Sequence, residues 1–390
     1  MSQFKRRDFF STLGLAAAGG YLGASSTARA APATPPAAGG GNGQLGPDGL
    51  LPGRPIMPPW SAIDDFPLLA DDRALRIRNR ATVEKYLSLA GRERIDRWML
   101  FTQDAQTMTE GFYTEPGAPR PDFMNQKGRD FVRTMDAVNV DNFPDWCFYN
   151  NIIFETEDPN LIIVEGDGSG MSYLKKDNPV RHSDHYFHVF RMVEGRISAY
   201  SEVRNELREI REWGWKPDLP KFPRYEAMFE QENAEDAPYT PAEQDNPALR
   251  ARNIGTIRTY LGCKGKNCAD RWRLFTQDGS SGPGYTGDGR ILRARGLDRI
   301  RKAEGLRASA FPDWSYSDLQ LHQTTDPAYF VAHVIGEGLC TGYAARPFFY
   351  KEHFYYSFLM RDGKIAAVRE YGDPQKWATL TGWDMHLPAG

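Results

Sequence analysis

The sequence predicts an α+β protein in which one domain is written twice. Two observations carry that reading. Four unusual strings recur in the same order along the 390 residues, and within each copy helical periodicity comes first and strand alternation after it. ALRIRN (Ala74 to Asn79) returns as ALRARN (Ala248 to Asn253), and DRWMLFTQD (Asp96 to Asp104) as DRWRLFTQD (Asp270 to Asp278). FPDW (Phe143 to Trp146) returns at Phe311 to Trp314, and FRMVEGRISAYSE (Phe190 to Glu202) as FLMRDGKIAAVRE (Phe358 to Glu370). The spacing between copies is that of a duplicated domain, far longer than the unit of a solenoid.

In chain order, residues 1–30 read as a signal peptide. They have a basic start, a short apolar run and a small-x-small ending at Ala28-Arg29-Ala30. The apolar run is too short to span a membrane. Arg6 and Arg7 ahead of Asp8-Phe9-Phe10 make it a twin-arginine export signal. Residues 31–72 are rich in Pro and Gly and read as a tether.

The first domain, 73–213, opens with helices over Arg78 to Ala90, Glu93 to Phe101 and Gly128 to Val138. Strands then follow at CFYNNIIFET, NLIIVEGDGSGMSYL, HYFHVFRM and RISAYSEV. VEGDGSG lacks the following helix of a phosphate loop and reads as a bulged strand. In FPDW the Phe and Trp are expected to pack the sheet and Asp145 to cap a turn; the same holds for Asp313. Residues 214–247 carry enough Pro and acidic residues to be a surface linker. The second domain, 248–384, repeats the order, with helices at Arg252 to Leu261, Ala269 to Phe275 and Gly296 to Arg307. Its strands are SYSDLQLHQT, YFVAHVIGEGLC, HFYYSFLM and KIAAVREY.

Composition narrows the partners. The 41% hydrophobic and 25% charged residues are those of a soluble globular chain, and a net charge of −3 gives no attraction to nucleic acid or an anionic membrane. Cys263 and Cys268 sit where two helices meet, spaced for a local disulfide in an oxidising compartment. His182, Asp184, His185 and His188 cluster, but alternation puts His185 and His188 on opposite faces, so no metal site is expected. Arg97 and Arg271 each follow an Asp on a helix and are expected to form salt bridges, with anion binding as the alternative.

The last hairpin of each copy places the candidate chemistry. Glu194-Gly195 and Asp362-Gly363 are two-residue turn pairs. With that turn Val193 opposes Arg196, Glu202 opposes Phe187, and His185 opposes Arg204. Glu202, His185, Tyr200 and Arg204 then share a face. In the second copy Glu370 opposes Tyr355, and His353 opposes Gly372. A Glu and a His in one pocket suit general acid–base catalysis. The expected catalytic residues are Glu202, His185, Glu370 and His353. The expected substrate contacts are Tyr200, Phe187, Arg204, Tyr355 and Asp167, with Glu165 a further pocket candidate.

The run from RNRATVEKYL through LFTQD, FPDW, IVEGDGSG, HYFHVF and EGRI to the Glu-ending strand resembles the PhzA/PhzB family of phenazine biosynthesis. That family has the nuclear transport factor two and SnoaL-like cone fold. The likeness covers 76–208 and, with fewer matches, 250–375. It implies two tandem cone-shaped domains, each with helices packed on a curved antiparallel sheet and a pocket in its mouth. It implies sheet-to-sheet pairing, so that the halves form an internal pseudo-dimer, and it assigns substrate protonation to Glu202 and Glu370. The family carries a His eight residues and a Ser four residues before the FPDW Phe. Met135 and Asn139, then Ala303 and Arg307, stand there instead, so the pocket floor and the substrate differ.

The function expected from this resemblance is a cofactor-independent acid–base lyase. It would remove a side-chain carbon, as formaldehyde or carbon dioxide, from a phenolic, lignin-derived diaryl compound. The alternatives are an isomerase or cyclase of a polycyclic ketone or phenazine-like precursor, and a non-catalytic periplasmic binder of aromatic ligands. The expected partner is a small aromatic substrate, with a homodimer of pseudo-dimers as the assembly and the periplasm as the location. Replacing Arg6 and Arg7 together with Lys should leave unprocessed precursor in the cytoplasm, because the receptor reads the paired guanidinium groups. Normal processing of that variant, followed by immunoblot of cell fractions, would point to general secretion.

Overall fold

The computed structural model describes residues 72–110, 128–173, 178–205, 247–283, 293–343 and 346–373, with 376, 377 and 380. The expected signal peptide, the tether and nearly all of the linker lie outside the described residues. In the first half α1 (Arg73–Ser88) leads through a 3-10 segment (Gly91–Leu100) into β1 (Phe101–Glu110) and α2 (Arg129–Asn142). β2 (Cys147–Glu155), β3 (Leu161–Ser172), β4 (Val180–Val193) and β5 (Arg196–Val203) follow. The second half repeats this as α3 (Pro247–Gly262), a 3-10 segment (Gly265–Leu274), β6 (Phe275–Pro283), the short β7 (Ala294–Arg295), α4 (Leu297–Ala310), β8 (Ser315–Gln323), β9 (Tyr329–Cys340), β10 (Phe348–Arg361) and β11 (Lys364–Tyr371).

The sheets run β1-β5-β4-β3-β2 and β7-β6-β11-β10-β9-β8. They are meanders, as expected, with one addition. β1 and β6, which begin within the repeated LFTQD, join parallel to β5 and β11; β1 is an edge strand, and only the two-residue β7 lies outside β6. Their polar, non-alternating sequences carry no strand signal, because strands at or next to the sheet edge are held mainly by their backbone.

The repeated strings now have physical reasons. In α1, capped by Asp72 through the Leu75 amide, Arg76 donates to the Thr156 carbonyl (2.9 Å) and Asn79 to the Pro159 carbonyl (2.8 Å). Arg250 and Asn253 do the same to Thr324 and Pro327. ALRxRN is thus a clamp on the β2–β3 and β8–β9 loops. Trp146 of FPDW lies across β3 where Gly168 and Gly170 leave room; a Cβ on Gly170 would fall 2.8 Å from Trp146 Cα. Gly336 and Gly338 face Trp314 in the same way. Asp145 and Asp313 do not cap turns within FPDW. They accept from the backbone of Met171 and Leu339 and so pin β3 and β9 (2.6 and 2.8 Å). The bulge expected in VEGDGSG falls on its partner strand instead. β3 pairs regularly with β4, while β2 breaks register at Asn150-Asn151, where Asn150 has φ +52°.

Both faces of each sheet are covered. The inner face of the first half packs Tyr186, Phe190, Met192, Ile162, Val164 and Phe148 against residues of α1, α2 and the 3-10 segment. The outer face packs Phe154, Leu161, Ile163, Phe187 and Val189 directly against Tyr329, Val331 and Tyr371 of the other half. Phe154 stacks on Tyr329 with ring centroids 3.5 Å apart, and Thr156 bridges Thr324. The expected internal pseudo-dimer is therefore a back-to-back pairing of sheets.

One extra residue corrects the expected hairpin register. Val193 opposes Arg196, but Arg191 opposes Ala199, leaving Ser198 as a bulge whose hydroxyl bonds the Arg191 carbonyl. Ala366 is the matching bulge between Ile365 and Ala367. Beyond each bulge every side chain changes face relative to its partner strand. Glu202 opposes His188, not Phe187, and Glu370 opposes Tyr356, not Tyr355. His185, Phe187 and Asp167 belong to the outer face, as do Glu165, His353 and Tyr355. Asp167 accepts from Asn150 and contacts His185 Nδ1 (2.8 Å), and His353 contacts His333 (3.4 Å).

The apolar interface holds a buried carboxylate, Glu165. Glu165 accepts from Ser357 (2.7 Å), Tyr371 (2.9 Å) and Arg369 (3.0 Å), all from the second half. Burial pushes its carboxyl up, but Arg369, His185 and the two hydroxyls outweigh this and hold it below the usual value. That stabilisation is present above the unfolded carboxylate range and is lost as pH falls through the lowered value. Glu165→Gln removes the charge that Arg369 Nη1 meets at 3.0 Å and should cost about 3 kcal/mol, read as a lower urea midpoint. An unchanged midpoint would show that the charge of Glu165 adds nothing to the hold between the halves.

Candidate active site

The 3.0-residue turn of the first 3-10 segment puts Arg94 and Arg97 on one side, and both are buried. Arg97 makes no ion pair with Asp96. It donates to the carbonyls of Tyr86 (3.1 Å) and Leu89 (2.8 Å), and its guanidinium lies 4.4 Å over the Tyr86 ring and 5.1 Å over Phe148. This fixed cation sits inside the first cone, under the inner face of the sheet. Arg94 ties the segment to the carbonyls of Asn139 and Phe143 at the end of α2.

Against that cation stands Asp136, from the inward side of α2. Its Oδ2 is buried and has no hydrogen-bond partner among the described residues. Burial raises its carboxyl to about 7, even though Arg97, Arg94 and a backbone bond from Trp98 pull the other way. Near neutral pH it is therefore part protonated and able to give or take a proton.

From the sheet, β4 and β5 add a second group. Tyr200 donates to Glu202 Oε2 (2.8 Å), and His188 Nδ1 lies 2.8 Å from the Tyr200 oxygen. With the tyrosine hydrogen on Glu202, His188 donates from Nδ1, and Nε2 is left as the acceptor. Nε2 is buried without a partner among the described residues. His188 is wholly buried, and burial, reinforced by Arg97, lowers it to about 3, so it stays neutral. Arg204 Nε is 3.7 Å from Glu202 Oε1. Asp136 and Glu202 both act on the Tyr86 hydroxyl, which burial raises to about 12.

The structure thus brings Glu202, Tyr200 and Arg204 together and removes His185, Phe187 and Asp167. His188 and Asp136 take the places that sequence reasoning missed. In the sequence His188 was visible only as the member of the His cluster on the face opposite His185, and the register expected there put His185 in the pocket instead. Asp136 lies one residue from Met135, a position already singled out, but nothing in the sequence shows that burial raises it.

The second cone is built from the same positions with different groups. Tyr356 replaces His188 and donates to Glu370, while Tyr316 and Tyr356 share a hydrogen bond (2.7 Å). Val368 replaces Tyr200. Arg307, at the position of Asn139, pairs with Glu370 (3.3 Å). Arg271, fully buried, is 3.8 Å from Glu304 rather than paired with Asp270. The four cysteines are free thiols, including Cys263 and Cys268, which the sequence spaces for a local disulfide.

A family model described as phenazine biosynthesis protein A/B matches residues 65–222 and again 235–383. The chain belongs to the phenazine biosynthesis protein A/B family, twice over. PhzA2 of Pseudomonas aeruginosa is 37% identical over 144 residues, covering 37% of this chain and 85% of that protein. PhzB of Pseudomonas fluorescens is 34% identical over 147 residues, covering 37% and 86%. Among solved structures, PhzB2 of Pseudomonas aeruginosa is similar over 37% of this chain and 92% of its own, at 28% identity and a TM-score of 0.33. Each such relative corresponds to about one half of this PhzA/PhzB-like tandem.

Asp136 also affects stability. A carboxyl raised to about 7 binds its proton more tightly folded than unfolded. Its contribution is present below the unfolded value near 3.8 and is lost as pH rises through about 7. Asp136→Asn should therefore raise the melting temperature at pH 8 by about 2 °C or more, with no gain at pH 4. A gain of equal size at both pH values would mean that the carboxyl is not raised.

Proposed function

We propose that the first half is an acid–base enzyme moving a proton beside a carbonyl of an aromatic or cyclic substrate, an isomerase or cyclase reaction. The observation that carries this is the pairing, inside one cone, of a carboxyl raised to about 7 with a second carboxylate on a Tyr–His chain. Sites that hold two titratable groups in unlike surroundings divide the acid and base roles between them. The relatives are named for phenazine biosynthesis, which fits a substrate with aromatic character.

The geometry supports the following steps. Glu202 Oε2 is taken by Tyr200, so Oε1 is the oxygen left to accept a proton from carbon. The Tyr200 hydroxyl and the neutral His188 behind it hold the carboxylate in place and answer its change of charge. Protonated Asp136, oriented by Arg97, gives its proton to the developing enolate oxygen. Return of the proton to another carbon completes an isomerisation; attack of that carbon on an electrophile completes a cyclisation. Loss of formaldehyde or carbon dioxide would need the same acid and base plus a departing carbon, and no residue of the site speaks for that extra step. In the second half Arg307 already holds Glu370, which favours the first half for proton transfer.

The test does not need the natural substrate. The purified chain is incubated in D2O with a panel of aryl and cyclic ketones, and exchange of the C–H beside the carbonyl is followed by NMR. Glu202→Gln should slow exchange by about 10²–10⁴-fold, and Glu370→Gln should leave it near the wild-type rate. Wild-type exchange should fall as pH rises through about 7, the value of Asp136, and Asp136→Asn should abolish that limb. Loss of exchange in Glu370→Gln alone would move the chemistry to the second half. Undiminished exchange in both glutamate variants would reject the acid–base reading.

A further inference from the structure

The second cone contains a cluster of buried polar atoms that the proposed chemistry does not use. Arg271 Nε, Nη1 and Nη2 are all buried and make no hydrogen bond among the described residues. Its counterpart Arg97 satisfies two of these nitrogens on backbone carbonyls. The Cys263 thiol lies alongside the Arg271 guanidinium without taking a well-aligned N–H. Glu304 Oε2 is also buried without a hydrogen bond among the described residues, while Oε1 receives the Tyr260 hydroxyl at 3.5 Å. Buried charged groups left in this state are costly, and their presence calls for a bound partner.

The geometry says what that partner offers. Arg271 Nη1 and Glu304 Oε2 are 3.8 Å apart, too far for a hydrogen bond. Two bonds of about 2.8 Å meeting on one oxygen span that gap. The oxygen must accept from a guanidinium and donate to a carboxylate, which is what a hydroxyl does and an ether, ester or carboxylate does not. The surroundings are aromatic: the guanidinium lies 4.4 Å from the Tyr260 ring and 5.2 Å from Tyr316, with Tyr356 beside them. The charges of Arg271 and Arg307 are matched by Glu304 and Glu370, which suits a neutral ligand. The first cone cannot present this pair, because Asp136 is one methylene shorter than Glu304 and Arg97 is already bonded.

We propose that the second half carries a binding site of its own for a phenol, whose O–H donates to Glu304 and whose oxygen accepts from Arg271. This site does not depend on the proton transfer assigned to the first half.

The probes are 4-ethylphenol and its near-isostere 1-ethyl-4-fluorobenzene, titrated calorimetrically into the full chain. Wild type should bind the phenol at least about tenfold more tightly, the worth of a hydrogen bond to a charged group. Glu304→Gln should remove that preference and leave the affinity for the fluorinated probe unchanged. If Glu304→Gln does not fold, as read by circular dichroism, Glu304→Asp withdraws the carboxylate by one methylene and should do the same. Equal affinities in wild type would mean that water alone bridges Arg271 and Glu304 and would overturn the proposal. So would a preference that survives in the Glu304 variant, or one lost in Glu202→Gln instead. The Glu304 variant should exchange ketone protons at the wild-type rate. Loss of exchange there would count against placing the chemistry in the first half, while the phenol measurement would stand.

Discussion

A single extra residue in the last hairpin of each half decides which side chains enter the cone. A sheet buried on both faces has two destinations for its side chains, and a one-residue shift exchanges them. Ser198 and Ala366 are those residues. They deliver Glu202 and Glu370 to the interior beside His188 and Tyr356, and they leave His185, Phe187 and Tyr355 to the face between the halves. The bulges lie near the turns, where small residues at the Ile-Ser-Ala and Ile-Ala-Ala positions tolerate the local bend. The candidate chemistry and the inter-half interface both follow from that placement.

The two interiors then diverge through a few positions on one scaffold. His188 and Tyr200 in the first cone face Tyr356 and Val368 in the second; Asp136 and Asn139 face Glu304 and Arg307. The first combination leaves a neutral imidazole and a raised carboxyl that both feel the charge of Arg97. The second ties one carboxylate to an arginine and leaves another arginine without a hydrogen bond among the described residues. Duplication in one chain permits this, because a homodimer must change both pockets at once and a tandem need not.

Between the cones, aromatic and aliphatic packing supplies most of the contact, and Glu165 gives it a direction. One carboxylate of the first half meets Ser357, Arg369 and Tyr371 of the second. At the position equivalent to Glu165 the second half has His333, which burial and His353 lower to about 4. The polar contacts are therefore not symmetric. An ionic group in an apolar contact adds little net stability when satisfied but penalises other registers, because they strand the charge.

The duplication, the order of helices and strands, the hairpin turns and the α+β class were legible in the sequence. They rest on repeated strings and on periodicities that local structure imposes directly. The parallel strands β1 and β6 were not, since backbone pairing leaves little trace in side-chain pattern. The glutamates of the candidate site were legible because they recur at the ends of matched strands. Their partners were not. Alternation counts residues two by two and cannot register a bulge, so it paired Glu202 with His185 instead of His188. Nor does the sequence state how deeply Asp136 is buried, or that Arg271 and Glu304 stop 3.8 Å apart. The sequence by itself determined one domain written twice and the segments each copy uses. Only the tertiary structure decided which face each side chain takes and which charges lose their water, because both depend on contacts between segments far apart in the chain.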